Sequence, residues 1–462
     1  MYEYTKTNRL DPEVKPVKER LANFDEIYER YNTAAAESQA SRCIQCGIPF
    51  CTSLGCPLNN NIPQWLKYIA EKEHQSAFDI SNETSPFPEI LGRICPHDRL
   101  CEKACTLNED YGAVSIGSVE VFISESGFEK GLKPEFPQTL SDKKVAIIGS
   151  GPAGLSCATF LLRAGIRPVI YEKADEAGGL LIYGIPSFKL EKEAVTRRIQ
   201  WLLEAGMELH LNAEIGKDIT FESLRRQYDA VFLAVGATEG KLLTYEGYNS
   251  DGVFMAVPFL TNAQKKQLGK RSDKKYSVAG KRVVVVGGGD TAMDCVRTSV
   301  REGASSVTCV YRRDEASMPA STKEFKAAQE EGVEFLYNKA PKAFDVTPEG
   351  KLQGMFFVET TLQKNAETGK EYLAEIADQQ TLMEADVVIL ALGFNNEQLQ
   401  FLTDNGITTT PYGTILTNEQ QQTSIEGVFA GGDATRGADL VVTAALDGRE
   451  AATFIAEYVF GK

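Results

Sequence analysis

The chain has no run of about 18 apolar residues, the length that a membrane-spanning helix needs. Its first residues, MYEYTKTNRLDPEVKP, hold no apolar core for a secretory signal, so the expected compartment is the cytoplasm. Basic charge is short as well: 49 Lys and Arg stand against 64 Asp and Glu, a net charge of −15, which argues against a general binder of nucleic acid or membrane surfaces. Disulfides are rare in a reducing compartment, so a cluster among the ten cysteines points to metal or redox chemistry rather than to cross-links.

What is present is glycine, 39 of 462 residues, and enough chain for two or three hydrophobic cores. From roughly residue 20 to 130, FDEIYERYN, AAAESQASRC, IPQWLKYIAEKE and PFPEILGRICP carry apolar residues at helical spacing, broken by proline. The stretch GLKPEFPQTLSDKK (131–144) reads as a linker, with a domain boundary near 140. Two similar segments follow, KKVAIIGSGPAGLSCATFLLRAGIRPVIYEK (143–173) and KRVVVVGGGDTAMDCVRTSVREGASSVTCVYRR (281–313), each a buried strand, a glycine turn, a helix and a second strand. The fold class is α/β, with one βαβ dinucleotide unit present twice.

In the first unit Gly149, Gly151 and Gly154 stand in GxGxxG register between strand and helix. The first permits a tight turn, the second lets backbone approach a pyrophosphate, and the third lets helix and strand pack closely. Glu172 ends the next strand, where its carboxylate can accept from a ribose 2′-hydroxyl, which suits FAD or NAD. The second unit has Gly287, Gly289 and Ala292, but ends in Arg312 and Arg313, a pair suited to the 2′-phosphate of NADP. YDAVFLAVGAT and ADVVILALGF are strands running into Gly236 and Gly393 at seams between nucleotide units. In GVFAGGDATRGADLVVTAALDGREAA a strand ends at Gly431, Gly432 and Asp433, and a helix starts near Leu440 with its amides free to face a flavin. Cys157, Cys295 and Cys309 fall on apolar faces of the βαβ units and read as core residues.

The other seven cysteines lie between 43 and 105, in RCIQCGIPFCTSLGCP and then at Cys95, Cys101 and Cys105. Bacterial ferredoxins use a related run ending Cys-Pro whose fourth cysteine serves a second cluster, which points to two clusters. Zinc would favour two CxxC pairs or Cys/His mixtures; here there is one CxxC, and His97 reads as a surface residue. Two four-iron cubes need eight ligands, so seven cysteines leave one position to another residue.

These motifs resemble the FAD and NAD(P)-dependent pyridine-nucleotide oxidoreductases with two dinucleotide domains. More narrowly, PHDRLCEKACTL, GGLLIYGIPSFKLEKE, GGGDTAMDCVRTSVREGA and GGDATRGADLVVTA resemble the small (beta) subunits of NADPH-dependent glutamate synthases. The resemblance implies a helical 4Fe-4S domain (1–140), an FAD domain in two parts (141–275 and 394–462) and an NADPH domain inserted between them (276–393). It assigns Gly151, Pro152, Ala153, Gly154, Glu172, Gly179, Leu180, Lys189, Asp433 and Leu440 to FAD. Gly288, Gly289, Asp290, Thr291, Arg312, Arg313 and Gly393 go to NADPH. One cluster falls to Cys43, Cys46, Cys51 and Cys105, and the second to Cys56, Cys95 and Cys101 with a non-cysteine ligand. In the related dihydropyrimidine dehydrogenase domain that ligand is a glutamine; SIGSVEVF puts Glu120 at the matching place, where the alternative is a solvated helix residue. The family commonly has three residues between its third and fourth cysteines, whereas this chain has four, Thr52 to Gly55, and Gly55 is the residue expected to absorb the extra one.

The implied activity is electron input. Hydride passes from NADPH to FAD, then single electrons pass through the clusters to a large (alpha) subunit that makes glutamate from 2-oxoglutarate and glutamine, in a hetero-oligomer. No general acid or base is expected, since the chemistry belongs to the cofactors. Two other readings compete: the NADP-binding subunit of a ferredoxin-dependent transhydrogenase, and a non-catalytic scaffold, which predicts no flavin bleaching by NADPH.

Overall fold

A computed structural model describes residues 3–365 and 368–461. The N-terminal unit is built mainly from α1 (Thr33–Ala40), α2 (Ile62–Ala70), α3 (His74–Thr84), α4 (Pro88–Ile94) and α5 (Ile116–Glu129). Asn32 caps α1 by accepting from the Ala35 amide, and α2 buries Ile62, Trp65, Leu66 and Ile69 along one stripe. The helix expected over FDEIYERYN is not formed. Residues 21–32 run as turns and extended chain, with a bridge between Val14 and Tyr28. Phe24, Ile27 and Tyr28 pack against Phe188 and Ala327, which belong to two different parts of the chain. Those partners spread the apolar side chains where a single helix face could not, so tertiary packing overrides local periodicity.

After the linker come β1 (Lys144–Ile148), α6 (Pro152–Arg163), β2 (Arg167–Tyr171), α7 (Lys192–Glu204), β3 (Glu208–His210) and β4 (Ala230–Leu233). The second nucleotide unit holds β5 (Val253–Met255), α8 (Ala256–Gln267), β6 (Arg282–Val286), α9 (Asp290–Arg301), β7 (Ser306–Val310), α10 (Thr322–Glu330) and β8 (Glu334–Leu336). An antiparallel meander, β9 (Lys339–Val346), β10 (Leu352–Lys364) and β11 (Glu371–Glu384), precedes β12 (Val387–Leu390). The chain closes with β13 (Val428–Ala430) and the 20-residue α11 (Val441–Phe460).

Two parallel sheets result, in order β13-β4-β1-β2-β3 and β5-β12-β6-β7-β8. Their central strands, VAII and VVVV, are buried on both faces, as parallel strands under helices must be. The second sheet is an insertion: the chain leaves the first after β4 and returns to add β13 beside it. Its two crossings meet where Glu239–Gly240 pairs antiparallel with Phe394–Asn395. α11 then lies against α6 so closely that a Cβ on Gly448 would sit 2.1 Å from the Ala153 carbonyl oxygen.

The helical unit shares its interior with the first nucleotide unit. Leu58, Phe87, Ile90 and Leu91 join the core formed by α6, α7 and α11, and Trp201 of α7 reaches into the helical core. Arg198 of α7 and Glu89 of α4 form a buried ion pair at 2.6 Å across that boundary. Removing one partner of such a pair strands the other charge, at a cost of about 3–5 kcal/mol.

Candidate active site and metal centres

The two glycine loops use one backbone solution. Gly149 (φ +102°) and Gly287 (φ +148°) end β1 and β6, and a Cβ on either would sit 2.3 Å from a carbonyl oxygen of the neighbouring strand's end, Ala234 or Ala391. Gly154 is equally constrained, since its Cβ would meet the Gly149 oxygen at 2.1 Å. Each loop opens onto a helix N-terminus whose amides can face an anion, α6 after Gly151 and α9 after Gly289.

A cavity beside the first loop is lined by Gly149, Gly151, Pro152, Ala153, Glu172, Gly179, Leu180, Asp433 and Leu440 among others. Glu172 is buried, and its carboxylate accepts from the Ser150 amide (2.9 Å), the Ser150 hydroxyl (2.5 Å) and the Ala174 amide (2.8 Å). A carboxylate has about four acceptor sites, so one remains for a ribose hydroxyl. The Ser150 hydroxyl also accepts from the Gly178 amide at 3.0 Å, tying the GGLL turn to the loop. On the far wall Asp433 Oδ1 is buried with no hydrogen-bond partner, and burial pushes the Asp433 carboxyl up to about 7. A buried acceptor of this kind fits a polyhydroxyl group, which the ribityl chain of FAD supplies. Asn396, invisible to motif reading, donates to the carbonyls of Gly236 (3.1 Å) and Asp433 (2.7 Å) and so pins two walls together. Gly154 and Gly432 stand behind the lining; the Gly432 amide donates to Asp447 at 2.8 Å.

The raised Asp433 carboxyl has a measurable sign. Its proton favours the flavin-free fold, a contribution present at low pH and lost as pH rises from about 4 through about 7. A donated hydroxyl favours the charged form, so FAD binding expels that proton. Affinity of the flavin-free chain for FAD is expected to fall up to about tenfold per pH unit below 7 and to level off above it. Fluorescence titrations across pH 5.5–8.5 read this directly; a flat profile removes Asp433 as a hydroxyl acceptor.

Around the second loop, Arg312 and Arg313 lie exposed just past β7, and neither guanidinium forms an ion pair among the described residues. They stand free to take a phosphate. Asp290 at the start of α9 accepts from the Ser321 amide (2.9 Å) and pairs with Arg99 (3.2 Å), which lies between Cys95 and Cys101. Cys309 donates its thiol to the Gly287 carbonyl at 3.2 Å, and Cys157 and Cys295 are buried in the cores. Burial raises all three thiols, which suits inert packing. Gly393 lies at the seam, where its carbonyl accepts from the Lys241 amide at 3.0 Å. Lys189 does not line the first-loop cavity. It lies half-buried in a crevice, paired with Asp294 (2.8 Å) and Glu324 (3.7 Å) of the second unit.

That crevice, about 500 Å³, borders the start of the second-loop helix, the first-loop cavity and one of the cysteine cavities. Asp290 and Thr291 reach it from the second loop, while Asp439, Leu440 and Val441 are shared with the first-loop cavity. Cys95, His97 and Val442 are shared with a smaller cavity in the helical unit.

The seven cysteines divide between two small cavities. Cys43, Cys46, Cys51 and Cys105 line one; Cys56, Cys95, Cys101 and Glu120 line the other; Ile116 is common to both. All ten cysteines are free thiols. Among the described residues no group of three or more His, Cys, Asp or Glu side chains is placed to hold a single metal ion. A four-iron cube spreads its ligands around a larger body than one ion, and each cavity is lined by three or four cysteines, the residue type such a cube needs. Arg42, fully buried, holds the first set: it donates to the carbonyls of Thr7, Tyr111, Gly112 and Ala113, fixing Cys43 against the segment that follows Cys105. The extra residue between Cys51 and Cys56 is taken up by a π-helical turn, Cys51–Gly55. Gly55 is required there, because a Cβ would lie 2.7 Å from the Cys101 Cα. Such one-residue widenings recur at functional sites.

Glu120 is not a solvated helix residue. It is buried, its Oε1 has no hydrogen-bond partner, and burial with Glu89 nearby raises its carboxyl to about 8. His97 is not a surface residue either. Its ring lies in the same cavity, over Gly117, where a Cβ would be 2.3 Å away, and burial holds it neutral by lowering its pKa to about 4. The short turn between Cys95 and Cys101 folds the side chain inward: the His97 carbonyl accepts from Leu100, Glu102 and Lys103.

Paired glycine loops, one nucleotide unit inserted in the other, and a helical unit with two cysteine cavities define a pyridine-nucleotide oxidoreductase with an iron-sulfur domain. Family comparison agrees on both parts: residues 143–448 match the pyridine nucleotide-disulphide oxidoreductase model, and residues 20–132 match dihydropyrimidine dehydrogenase domain II, 4Fe-4S cluster. The chain is 44% identical to the glutamate synthase [NADPH] small chain of Escherichia coli over 99% of both chains. It is 43% identical to the putative oxidoreductase AegA of the same organism, over 98% of this chain and 70% of that one. The chain belongs to the glutamate synthase [NADPH] small chain family. Among solved structures, Mycobacterium tuberculosis FprA in complex with NADPH has the same fold at 16% identity (TM-score 0.57, 70% of this chain and 85% of that one). Among the described residues no helix is long and apolar enough to cross a membrane.

Proposed function

We propose that this chain is the electron-input subunit of a glutamate synthase, working in the cytoplasm. It takes NADPH at the second glycine loop, holds FAD at the first, and carries two 4Fe-4S clusters. One cluster is held by Cys43, Cys46, Cys51 and Cys105, the other by Cys56, Cys95, Cys101 and Glu120. It delivers electrons to a large (alpha) subunit that makes glutamate from 2-oxoglutarate and glutamine. The units are 1–140 for the clusters, 141–275 with 394–462 for FAD, and 276–393 for NADPH. When bound, these groups supply hydride acceptance and one-electron transfer.

The observation that carries this reading is the shared crevice. The start of α9, the start of α11 and the Cys95 turn all border one space, which supports neighbouring nucleotide, flavin and cluster sites. In it Asp439, Leu440 and Val441 wall the flavin side, and Val442, one residue on, walls the second cysteine cavity. Ile116 lines both that cavity and the first, whose lining includes the exposed Ile44 and Phe50.

Around the outer cavity the surface is apolar. Ile44, Phe50, Ile48 (68% exposed) and Leu54 (78% exposed) stand out from the cysteine loop. No charged residue occurs from Cys43 to Leu66, in a chain that is otherwise 24% charged. We assign this patch to the large subunit, whose facing surface should be apolar. Ile48→Asp with Leu54→Asp is expected to cut glutamine-dependent NADPH oxidation with the large subunit at least tenfold. Reduction of a small one-electron dye by NADPH should be unchanged; equal losses in both assays would reject the assignment.

The decisive experiment mixes the chain with a large glutamate synthase subunit and measures glutamine-dependent NADPH oxidation. Stimulation is expected. Its absence, with NADPH still bleaching the bound flavin, would move the chain to the transhydrogenase reading. That second reading draws on the 43% identity to a putative oxidoreductase outside the synthases. No bleaching at all would leave the scaffold.

A further inference from the structure

Three buried side-chain atoms without a hydrogen-bond partner face the cavity of Cys56, Cys95 and Cys101: Glu120 Oε1, Trp65 Nε1 and His97 Nε2. The carboxylate is accounted for by the ligand role proposed above. The two nitrogens are not. An indole N–H can only donate, and leaving such a group unpaired in the interior costs about 1–3 kcal/mol. Trp65 is held there by α2, with 1% of its surface exposed, in a stripe continuous with the helical core. His97 is held by the turn between two of the cysteines and by the notch at Gly117. Gly117 stands one turn before Glu120 on α5, so imidazole and carboxylate enter the cavity from the same helix face.

Three thiolates and a carboxylate would give the second cluster an all-anionic ligand set that only accepts hydrogen bonds, as its sulfides do. Among the residues lining the cavity, Trp65 and His97 supply the unpartnered side-chain nitrogens. Resting on the two-cluster reading, we propose that Trp65 Nε1–H and His97, in its Nε2–H tautomer, donate hydrogen bonds to sulfur atoms of the second cluster. They thereby raise its potential against the lowering effect of the Glu120 ligand. Hydrogen bonds to cluster sulfur stabilise the more negative, reduced state, so their loss makes reduction harder. The position suits that role, since His97 also borders the crevice through which this cavity adjoins the flavin side.

The test is an EPR-monitored redox titration of the full chain, with iron and sulfide counted in each sample. Trp65→Phe and His97→Leu remove one donor each; His97→Gln retains one. Each removal is expected to shift the reduction equilibrium of the second cluster about tenfold toward the oxidised form, 59 mV for a one-electron couple. The first cluster should be unmoved, and His97→Gln should recover most of the shift. If both clusters are present and neither removal moves the second potential, the hydrogen bonds are refuted while the two-cluster reading stands. If the unmodified chain holds one cluster only, both fall. Should a variant lose iron, pulsed EPR on the unmodified chain reconstituted in D2O reads the same bonds. Exchangeable deuterons coupled to the reduced second cluster are expected, and their absence overturns the proposal.

Discussion

Glu120→Ala is expected to strip the chain of about half its iron and labile sulfide, together with the EPR signal of one of two clusters. Glu120→Gln should retain them. The carboxylate is the one side-chain oxygen without a partner in the cavity of Cys56, Cys95 and Cys101, and α5 aims it there from within a packed helix pair with α4. Without it, three cysteines hold a cube whose fourth iron has no protein ligand, and loss of that iron opens the way to loss of the whole cube. Glutamine preserves the length and one oxygen of the side chain, and the related dehydrogenase domain is expected to use that residue. Flavin content is the internal control, because Glu120 does not line the flavin cavity. Full iron in Glu120→Ala, with both signals intact, would take Glu120 out of the ligand set.

The second large effect falls on cofactor choice. Arg312→Ser with Arg313→Ser is expected to weaken NADPH binding about a hundredfold or more while leaving NADH binding within about twofold. Each charge-assisted bond to a phosphate contributes roughly 1.5–3 kcal/mol, and about 1.4 kcal/mol is tenfold in affinity. Both guanidinium groups are exposed and lack ion-pair partners among the described residues, so removing them breaks no ion pair there. Because both are exposed, the preference for NADPH should also shrink as salt rises. Equal loss of NADPH and NADH binding, measured by titration of each, would reject the pair as a 2′-phosphate clamp.

Much of this architecture was legible in the chain because its determinants are local. A strand buried on both faces must be a continuous apolar run, and the turn after it must be glycine where a carbonyl presses on Gly149 or Gly287. The cysteine domain was less transparent. Its cysteines come from segments up to some sixty residues apart, so spacing alone left their division open, and grouping Cys56 with Cys95 and Cys101 rested on the resemblance; the fold brings those three into one cavity. The segment around Ile27 misled for a related reason: its periodicity is helical, but its partners, Phe188 and Ala327, arrive from elsewhere. Trp65 and His97 carried no signal beyond their position, since an unpaired nitrogen is a property of a packed interior. Ser150 and Asn396 were nearer to being readable, as polar residues set directly beside the glycine loop and the glycine seam.

The sheet order also has a consequence for how the protein is made. β1 and its neighbour's neighbour β13 are separated by about 280 residues, and the Asp433 wall of the first-loop cavity follows β13 directly. At about 5–20 residues per second, roughly a quarter-minute to a minute of translation separates the first glycine loop from the strand and helix that complete its site. The inserted nucleotide unit has its own sheet and core, complete at β12 (Val387–Leu390), ahead of β13 (Val428–Ala430). On the ribosome, the inserted unit is therefore free to fold while the first sheet still waits for its last strand, and completion of the first-loop cavity becomes one of the final events of biogenesis.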